Sequence, residues 1–121
     1  MIYHITTGTA WQQAKREGRY SAESLKTDGF IHCSAKHQVE PVANSFYKGI
    51  DDLVLLCIDE NKLTNELRWE DPAHPTIDSG TVSNVDQFPH VYGEINLDAV
   101  AEVVALVRLE NSDYALAPDT P

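Results

Sequence analysis

The sequence predicts an α+β fold, and three observations support that prediction. Helical patterns lie in the first half of the chain, whereas the second half contains strand patterns only. Strand-like runs are short, and there are about six of them. The chain has 121 residues, of which 42% are apolar and 23% charged, so it is expected to form one domain with a substantial core.

The first predicted elements are a strand followed directly by a helix. Residues 2–6 are apolar and β-branched, which favours a strand. Thr7 is a suitable N-cap for the next helix, and Gly18 is a suitable stop because glycine readily adopts the left-handed conformation that ends helices. Residues 21–29 end in Asp-Gly and are predicted to form a loop.

A buried strand and a second helix come next. Residues 30–33 form a compact apolar run that predicts the strand. The helical pattern starts at Ser34, but Pro41 lacks the amide hydrogen that a helix interior requires. The first turn of this helix is therefore predicted near residues 39–41.

The second half is predicted to contain strands joined by loops. Residues 53–58 form the most apolar run and predict a central strand, and residues 67–70 and 100–109 predict two more. The proline- and glycine-containing loop at residues 72–80 is expected to be the most mobile internal segment. Residues 1–110 are thus predicted as a single domain, and residues 111–121 as a polar tail that frays.

Charge and cysteine content restrict the function. Nine Lys and Arg against nineteen Asp and Glu leave a net charge of −10, which disfavours general nucleic-acid binding and adhesion to anionic membranes. No apolar run approaches the length of a membrane span, and the N-terminus lacks the pattern of a signal peptide. Cys33 and Cys57 lie inside apolar runs, as expected for buried thiols in the cytoplasm. The oligomeric state stays open.

Several polar residues within apolar strands are the candidates for chemistry. His4 and His32 lie within strand patterns, Glu70 follows a tryptophan, and His90 and Tyr92 alternate along one strand. A single histidine of this kind is more often a hydrogen-bonded core residue than a catalyst. Burying three of them separately would cost about 1–3 kcal/mol for each unpaired group, so we expect the three histidines to face one concavity.

Two other interpretations of these residues remain open. A zinc site could combine histidines and a cysteine, although strand alternation sends His32 and Cys33 to opposite faces. Its candidate ligands are His32, Cys33, His37, His74 and His90. Glu70 could instead form a carboxylate pair with Glu94, as in glycosidases, at a separation that the sequence does not define.

The candidate residues lie in strings that resemble one known family. In chain order they are Tyr3-His-Ile-Thr6, Asp28-Gly-Phe-Ile-His-Cys-Ser34, Leu67-Arg-Trp-Glu70, Phe88-Pro-His-Val-Tyr-Gly93 and Asn96-Leu-Asp-Ala-Val100. Together they resemble the bacterial domain of unknown function numbered 952, over nearly the whole chain. That family is similar in fold to the ADP-ribosyltransferases. The resemblance therefore implies a split, strongly bent β-sheet with NAD held in its cleft, and the pattern along this chain predicts two helices beside that sheet.

The resemblance also implies roles for individual residues. Glu70 would be the acid that supports positive charge on the sugar, and His32 would assist it in catalysis. Binding of NAD would involve His4, Thr6, Ser34, Trp69, His90 and Tyr92, with Trp69 or Tyr92 flanking the nicotinamide ring. Arg16, Arg19, Lys36 and Arg68 are the nearby cations for its diphosphate.

The sequence is consistent with two functions of different classes. The first is binding of NAD or a related ADP-ribosyl compound, as a transferase or glycohydrolase. The second is a non-catalytic module for a nucleotide or another metabolite, since a fold by itself does not define an activity. The position of Glu70 distinguishes these two functions. A Glu70 side chain that points into the cleft would favour catalysis, and one on the surface would favour the non-catalytic module.

Overall fold

A computed structural model describes residues 1–72 and 87–121. Within these ranges the chain forms helices and antiparallel strands, which confirms the predicted α+β class. The helices are α1 (Gly8–Glu17), α2 (Ser24–Thr27) and α3 (Lys36–Phe46). The strands are β1 (Ile2–Thr7), β2 (Arg19–Tyr20), β3 (Ile31–His32), β4 (Leu53–Ile58), β5 (Leu67–Glu70), β6 (Phe88–Val91), β7 (Ile95–Asn96), β8 (Val100–Ala105), β9 (Val107–Arg108) and β10 (Tyr114–Ala115).

One three-stranded sheet forms the centre of the core. Its order is β1-β4-β8, and β4 pairs antiparallel with both neighbours. Leu56 and Ile58 pack on one face with residues of α1, whereas Leu55 and Cys57 pack on the other face with residues of α3. The continuous apolar run predicted as a central strand is therefore buried on both faces.

A second three-stranded sheet carries most of the candidate site. Its order is β3-β6-β5, with both pairs antiparallel. A bridge between Tyr3 and Ser34 joins it to the central sheet. Two smaller ladders, β2-β7 and β9-β10, complete the pairing among the described residues. No helix within the described ranges has the length and apolar character of a membrane span.

The predicted limits of the first helix are correct. Thr7 caps α1, with its hydroxyl oxygen accepting from the Ala10 amide at 3.1 Å. Gly18 ends the helix in the left-handed conformation, at a φ of 83°. The predicted loop that follows is wrong in part, because α2 forms a single turn within it.

The start of α3 differs from the prediction. The helix begins at Lys36, and Pro41 lies inside it rather than in its first turn. The Gln38 side chain accepts from the Ala35 amide at 2.8 Å and stabilises the earlier start. Val39 and Ala43 are fully buried on the same helix, and their packing offsets the backbone hydrogen bond that proline removes.

The last strand and the tail also differ from the prediction. The single strand expected at residues 100–109 is divided at the buried Leu106, whose amide donates to the Leu53 carbonyl oxygen at 3.2 Å. Within the segment predicted as a polar tail, β10 pairs with β9 and Tyr114 is buried. Apart from Pro72, the loop expected to be mobile at residues 72–80 lies outside the described residues.

Candidate functional site

Antiparallel pairing places two histidines side by side. His32 of β3 lies directly opposite His90 of β6, and their ring centroids are 5.5 Å apart. Phe30 stacks on His90 at a centroid distance of 4.0 Å and also contacts His32. His32 and His90 are 58 positions apart in the chain, and they form one cluster because β3 pairs with β6.

His90 is held by a carboxylate, and a phenol donates to that same carboxylate. Glu70 Oε1 lies 2.8 Å from His90 Nδ1 and accepts from the Tyr92 hydroxyl at 2.6 Å. These two hydrogen bonds, that from Tyr92 foremost, lower the pKa of Glu70, so it is an ionised acceptor at neutral pH. His90 Nδ1 must therefore carry the hydrogen, and Nε2 carries the lone pair.

The second nitrogen of His90 opens into a cavity. Burial lowers the pKa of His90 despite the opposing effect of Glu70, so the ring is neutral at pH 7. Among the described residues, none forms a hydrogen bond with Nε2. The described residues also contain no fully enclosed side-chain nitrogen or oxygen that lacks a partner, so Nε2 is not fully enclosed. Since His90 also lines the cavity, Nε2 must be accessible from it.

His32 pairs with a different acid. Its Nε2 lies 2.8 Å from Asp28 Oδ2, and both side chains are about one-third exposed. Because both side chains are partly open to solvent, a contact of this kind contributes little to stability. Asp28 was not among the candidates from the sequence, although its position four residues before His32 could have indicated it.

His4 forms a buried chain of hydrogen bonds. Its Nδ1 lies 2.6 Å from the His32 carbonyl oxygen, which can only accept, so Nδ1 donates. Nε2 then accepts from the Tyr20 hydroxyl at 2.8 Å. Tyr20 has used its one hydrogen, so the Thr6 hydroxyl, 2.9 Å away, donates to the Tyr20 oxygen.

Burial has a strong effect on this chain. It lowers the pKa of His4 to about 4 and, with smaller contributions from neighbours, raises that of Tyr20 to about 12, so both are neutral at pH 7. Both ring nitrogens of His4 have protein partners. Tyr20 is a member of the site that sequence analysis missed, because nothing in its local pattern distinguishes it from a core tyrosine.

A cavity of about 510 Å³ joins these groups. The strands and the bridge at Ser34 contribute polar residues to its lining, namely His4, Thr6, Tyr20, His32, Ser34 and His90. Helix α3 and the turn after it contribute a largely apolar wall, formed by Val42, Phe46, Tyr47 and Ile50. Of the residue types Asp, Glu, Lys and Arg, the described lining contains Glu23 alone. The volume lies within the range of small-molecule sites.

The three histidines therefore line one cavity, whereas other candidates lie apart from it. Glu70 and Tyr92 lie beyond His90 and are not among the described lining residues. Trp69 is 44% exposed on the opposite face of β5 from Glu70. The ligand-binding roles expected for these residues stay predictions.

The cations expected near a diphosphate have other partners. The guanidinium of Arg19 pairs with Glu94, and that of Arg68 pairs with Glu66 while lying over the Tyr92 ring. The two remaining candidates, Arg16 and Lys36, bond to Gln13 and the Thr120 carbonyl oxygen. Thus no lysine or arginine belongs to the described lining of the cavity.

The described residues do not support a zinc site or a pair of carboxylates formed by Glu70 and Glu94. Among residues 1–72 and 87–121, no group of three His, Cys, Asp or Glu could hold a metal ion, and His74 lies outside those ranges. Cys33 and Cys57 are buried free thiols, and burial raises the pKa of both. Glu94 pairs with Arg19 rather than sharing partners with Glu70.

Fold and site define an α+β protein with a histidine-lined cavity of about 510 Å³. The family model described as "Protein of unknown function (DUF952)" matches residues 5–103. The chain therefore belongs to the DUF952 family.

Two solved structures of one bacterial protein are similar to this chain. The crystal structure of CC0527 from Caulobacter crescentus has 28% sequence identity and a TM-score of 0.79, covering 95% of this chain and 93% of that chain. Its solution NMR structure has the same identity and a TM-score of 0.72, covering 93% and 89%. No curated protein matches this chain.

Proposed function

We propose that the cavity binds NAD or a related ADP-ribosyl compound. The observation that carries the proposal is the convergence of His32, Ser34 and His90 at one ligand-sized cavity whose other wall is largely apolar. Imidazole and hydroxyl groups suit the hydroxyls of a ribose, and an apolar wall suits a nicotinamide or adenine ring. Two free buried thiols fit a reducing compartment, so the proposal places the protein in the cytoplasm.

The charge of the site limits which part of NAD it recognises. A diphosphate is usually bound by cations or by backbone amides at a helix N-terminus, and the described lining contains no lysine or arginine. Recognition is therefore assigned to the ring and its ribose. Nicotinamide riboside should bind about as well as NAD if this assignment is correct.

The proposed reaction is transfer or hydrolysis at the glycosidic bond of nicotinamide. When that bond breaks, positive charge develops on the ribose and neutral nicotinamide leaves. The Glu70 carboxylate is the candidate group for stabilising this charge, acting from behind His90. Water or another hydroxyl compound would then bond to the ribose carbon and release one proton.

Substitution of Glu70 tests the catalytic part of the proposal. Glu70→Gln should reduce nicotinamide release at saturating NAD by about 10²–10³-fold, because a preorganised charge is lost. Binding and melting temperature should change little, since the glutamine oxygen can still accept from His90 and Tyr92. The exposed Glu110→Gln is the matched control. Retention of more than about a tenth of the rate would contradict the role of Glu70.

A binding titration tests the ligand itself. NAD, ADP-ribose, nicotinamide and nicotinamide riboside are titrated by calorimetry against the wild type and against His32→Ala and Ser34→Ala. Binding that is weakened in both variants but not in His37→Ala would support the proposal, because His37 is exposed and does not belong to the described lining. No binding of any of these compounds would refute it.

A non-catalytic module is the second candidate, and one observation favours it. Glu70 Oε1 already accepts two hydrogen bonds from protein groups, and Glu70 is not part of the described lining. A carboxylate that is engaged in this way could serve only to hold His90. Binding without nicotinamide release would establish this second function.

A further inference from the structure

We propose that His90 is the proton acceptor of this cavity and that Glu70 and Tyr92 are its positioning residues. The inference deepens the proposed function, because it concerns the same cavity and assigns the base. It also names a substrate class: a compound that carries no negative charge at its reacting end and has an aromatic or apolar part.

The hydrogen-bond geometry defines which form of His90 faces the ligand. Glu70 Oε1 accepts from His90 Nδ1 at 2.8 Å, so the lone pair lies on Nε2, the atom open to the cavity. Tyr92 donates to the same carboxylate oxygen and holds it in place. A carboxylate that orients an imidazole in this way is the arrangement that makes histidine an effective general base.

Packing restrains the ring as well. His90 is only 3% exposed, and Phe30 stacks on it at 4.0 Å with an interplanar angle of 23°. Rotation of the imidazole would break both the stacking and the bond to Glu70. Nε2 is therefore preorganised toward the cavity, a condition for efficient proton transfer.

Comparison with the other histidines of the cavity singles out His90. His4 has protein partners on both nitrogens, so it has no lone pair for a ligand. Nε2 of His32 is bound to Asp28, and this pair is about one-third exposed. Of these three rings, His90 alone combines burial, a carboxylate partner on Nδ1 and an open Nε2.

The surroundings define the class of substrate. The described lining contains Glu23 and no lysine or arginine, so an anionic reacting group would be repelled rather than bound. Val42, Phe46 and Ile50 offer an apolar surface in the same cavity. The Ser34 hydroxyl, on a residue only 5% exposed, can donate to an oxygen of the substrate.

The reaction step is a hydrolysis assisted by a base. His90 Nε2 takes a proton from water while the water oxygen bonds to the electrophilic carbon of the substrate. The bond from that carbon to the leaving group breaks, and the leaving group keeps the electron pair. The proton on Nε2 then passes to solvent, so only water is consumed.

A neutral aromatic ester tests the assignment independently of NAD. The probe is p-nitrophenyl acetate, whose ring suits the apolar wall and whose reacting end is uncharged. We expect the wild type to hydrolyse it with a rate that rises with pH around a midpoint below about 6.5 and then levels off. The rate should fall at least about tenfold in His90→Gln and should be unchanged in His37→Gln.

The positioning residues give a readout that a structural role alone would not change. The charged groups around His90 are Glu70 and Arg68 from β5, Asp28 before β3, and the titratable His32 and Tyr92. Glu70 favours the protonated ring, so Glu70→Gln should move the midpoint of the pH profile to lower pH. Tyr92→Phe should slow the reaction with an intact melting temperature, and Glu110→Gln should change neither quantity.

The outcomes separate this inference from the proposed function. Ester hydrolysis that depends on His90, with no binding of NAD, supports the base assignment and refutes the NAD proposal. Turnover of NAD that persists in His90→Gln supports the NAD proposal and refutes the assignment of His90 as the base. A wild type that does not hydrolyse the ester above the buffer rate, or an unshifted profile in Glu70→Gln, overturns the inference.

Discussion

At the scale of single residues, His4 is a buried histidine without an acidic partner. It is 6% exposed, and its two nitrogens are satisfied by the His32 carbonyl oxygen and the Tyr20 hydroxyl. Both bonds suit the neutral ring, and burial disfavours the charged one. Protonating His4 would force Nε2 to donate and reverse the chain through Tyr20 to Thr6.

Acid should therefore destabilise the protein through His4. Its pKa is about 4 in the folded chain and about 6.5 when unfolded, so the unfolded state binds more protons below pH 6.5. The stability from the neutral ring is present above pH 6.5 and is lost as the pH falls toward 4. Between pH 7 and pH 5 the free energy of unfolding should fall by about 2 kcal/mol from this residue. Urea denaturation at both pH values measures it.

A variant without the imidazole separates this contribution from that of other groups. In His4→Gln the fall in the free energy of unfolding between pH 7 and pH 5 should be smaller by about 2 kcal/mol. This difference should appear whatever the stability of the variant at pH 7. His90 has a lowered pKa too and adds a loss of the same sign. An equal fall in wild type and His4→Gln would show that His4 titrates normally.

At the scale of elements, α1 is determined locally, whereas the sheet that carries the site is not. Thr7 and Gly18 delimit α1 through contacts within a few residues, and both were predicted. β3 is two residues long and depends on β6, which lies 58 residues along the chain. The existence of β3 could be predicted from its apolar pattern, but its pairing with β6 could not.

Gly18 should be sensitive to replacement for a backbone reason alone. Its φ is 83°, and a Cβ placed there would meet no atom within 4 Å. Gly18→Ala should therefore lower the free energy of unfolding by about 1 kcal/mol through left-handed strain. Gly18→Asn should cost less, because asparagine tolerates this conformation better. Equal stability of the alanine variant and the wild type, by thermal and urea unfolding, would contradict this account.

At the scale of the whole molecule, the C-terminal segment is part of the core. Tyr114 is 4% exposed and packs with residues of α3 and the central sheet. The Asn44 side chain bonds to both the amide and the carbonyl of Tyr114, at 2.7 and 3.0 Å. Farther along, the Tyr3 hydroxyl and the Lys36 ammonium donate to carbonyl oxygens of Pro121 and Thr120. Residues 111–121 thus cover the face of the central sheet opposite α1.

Truncation of Tyr114 should consequently be costly. Tyr114→Ala should lower the free energy of unfolding by about 3–5 kcal/mol, because a buried aromatic ring leaves a cavity. Tyr114→Phe keeps the ring and loses only the bond from its hydroxyl to the Ile50 carbonyl oxygen, so it should cost about 1 kcal/mol. A loss below about 1 kcal/mol in the alanine variant would mean that the segment is only loosely attached.

The sequence by itself determined the α+β class, the limits of α1, the buried thiols and the set of histidines worth locating. Those features depend on periodicity, caps and composition, which act over a few residues. Only the tertiary structure decided that Glu70 pairs with His90, that Asp28 pairs with His32 and that the tail packs on the core. The physical reason is that hydrogen bonds and burial across many positions of the chain depend on strand pairing and register, and one sequence does not specify which short strands will pair.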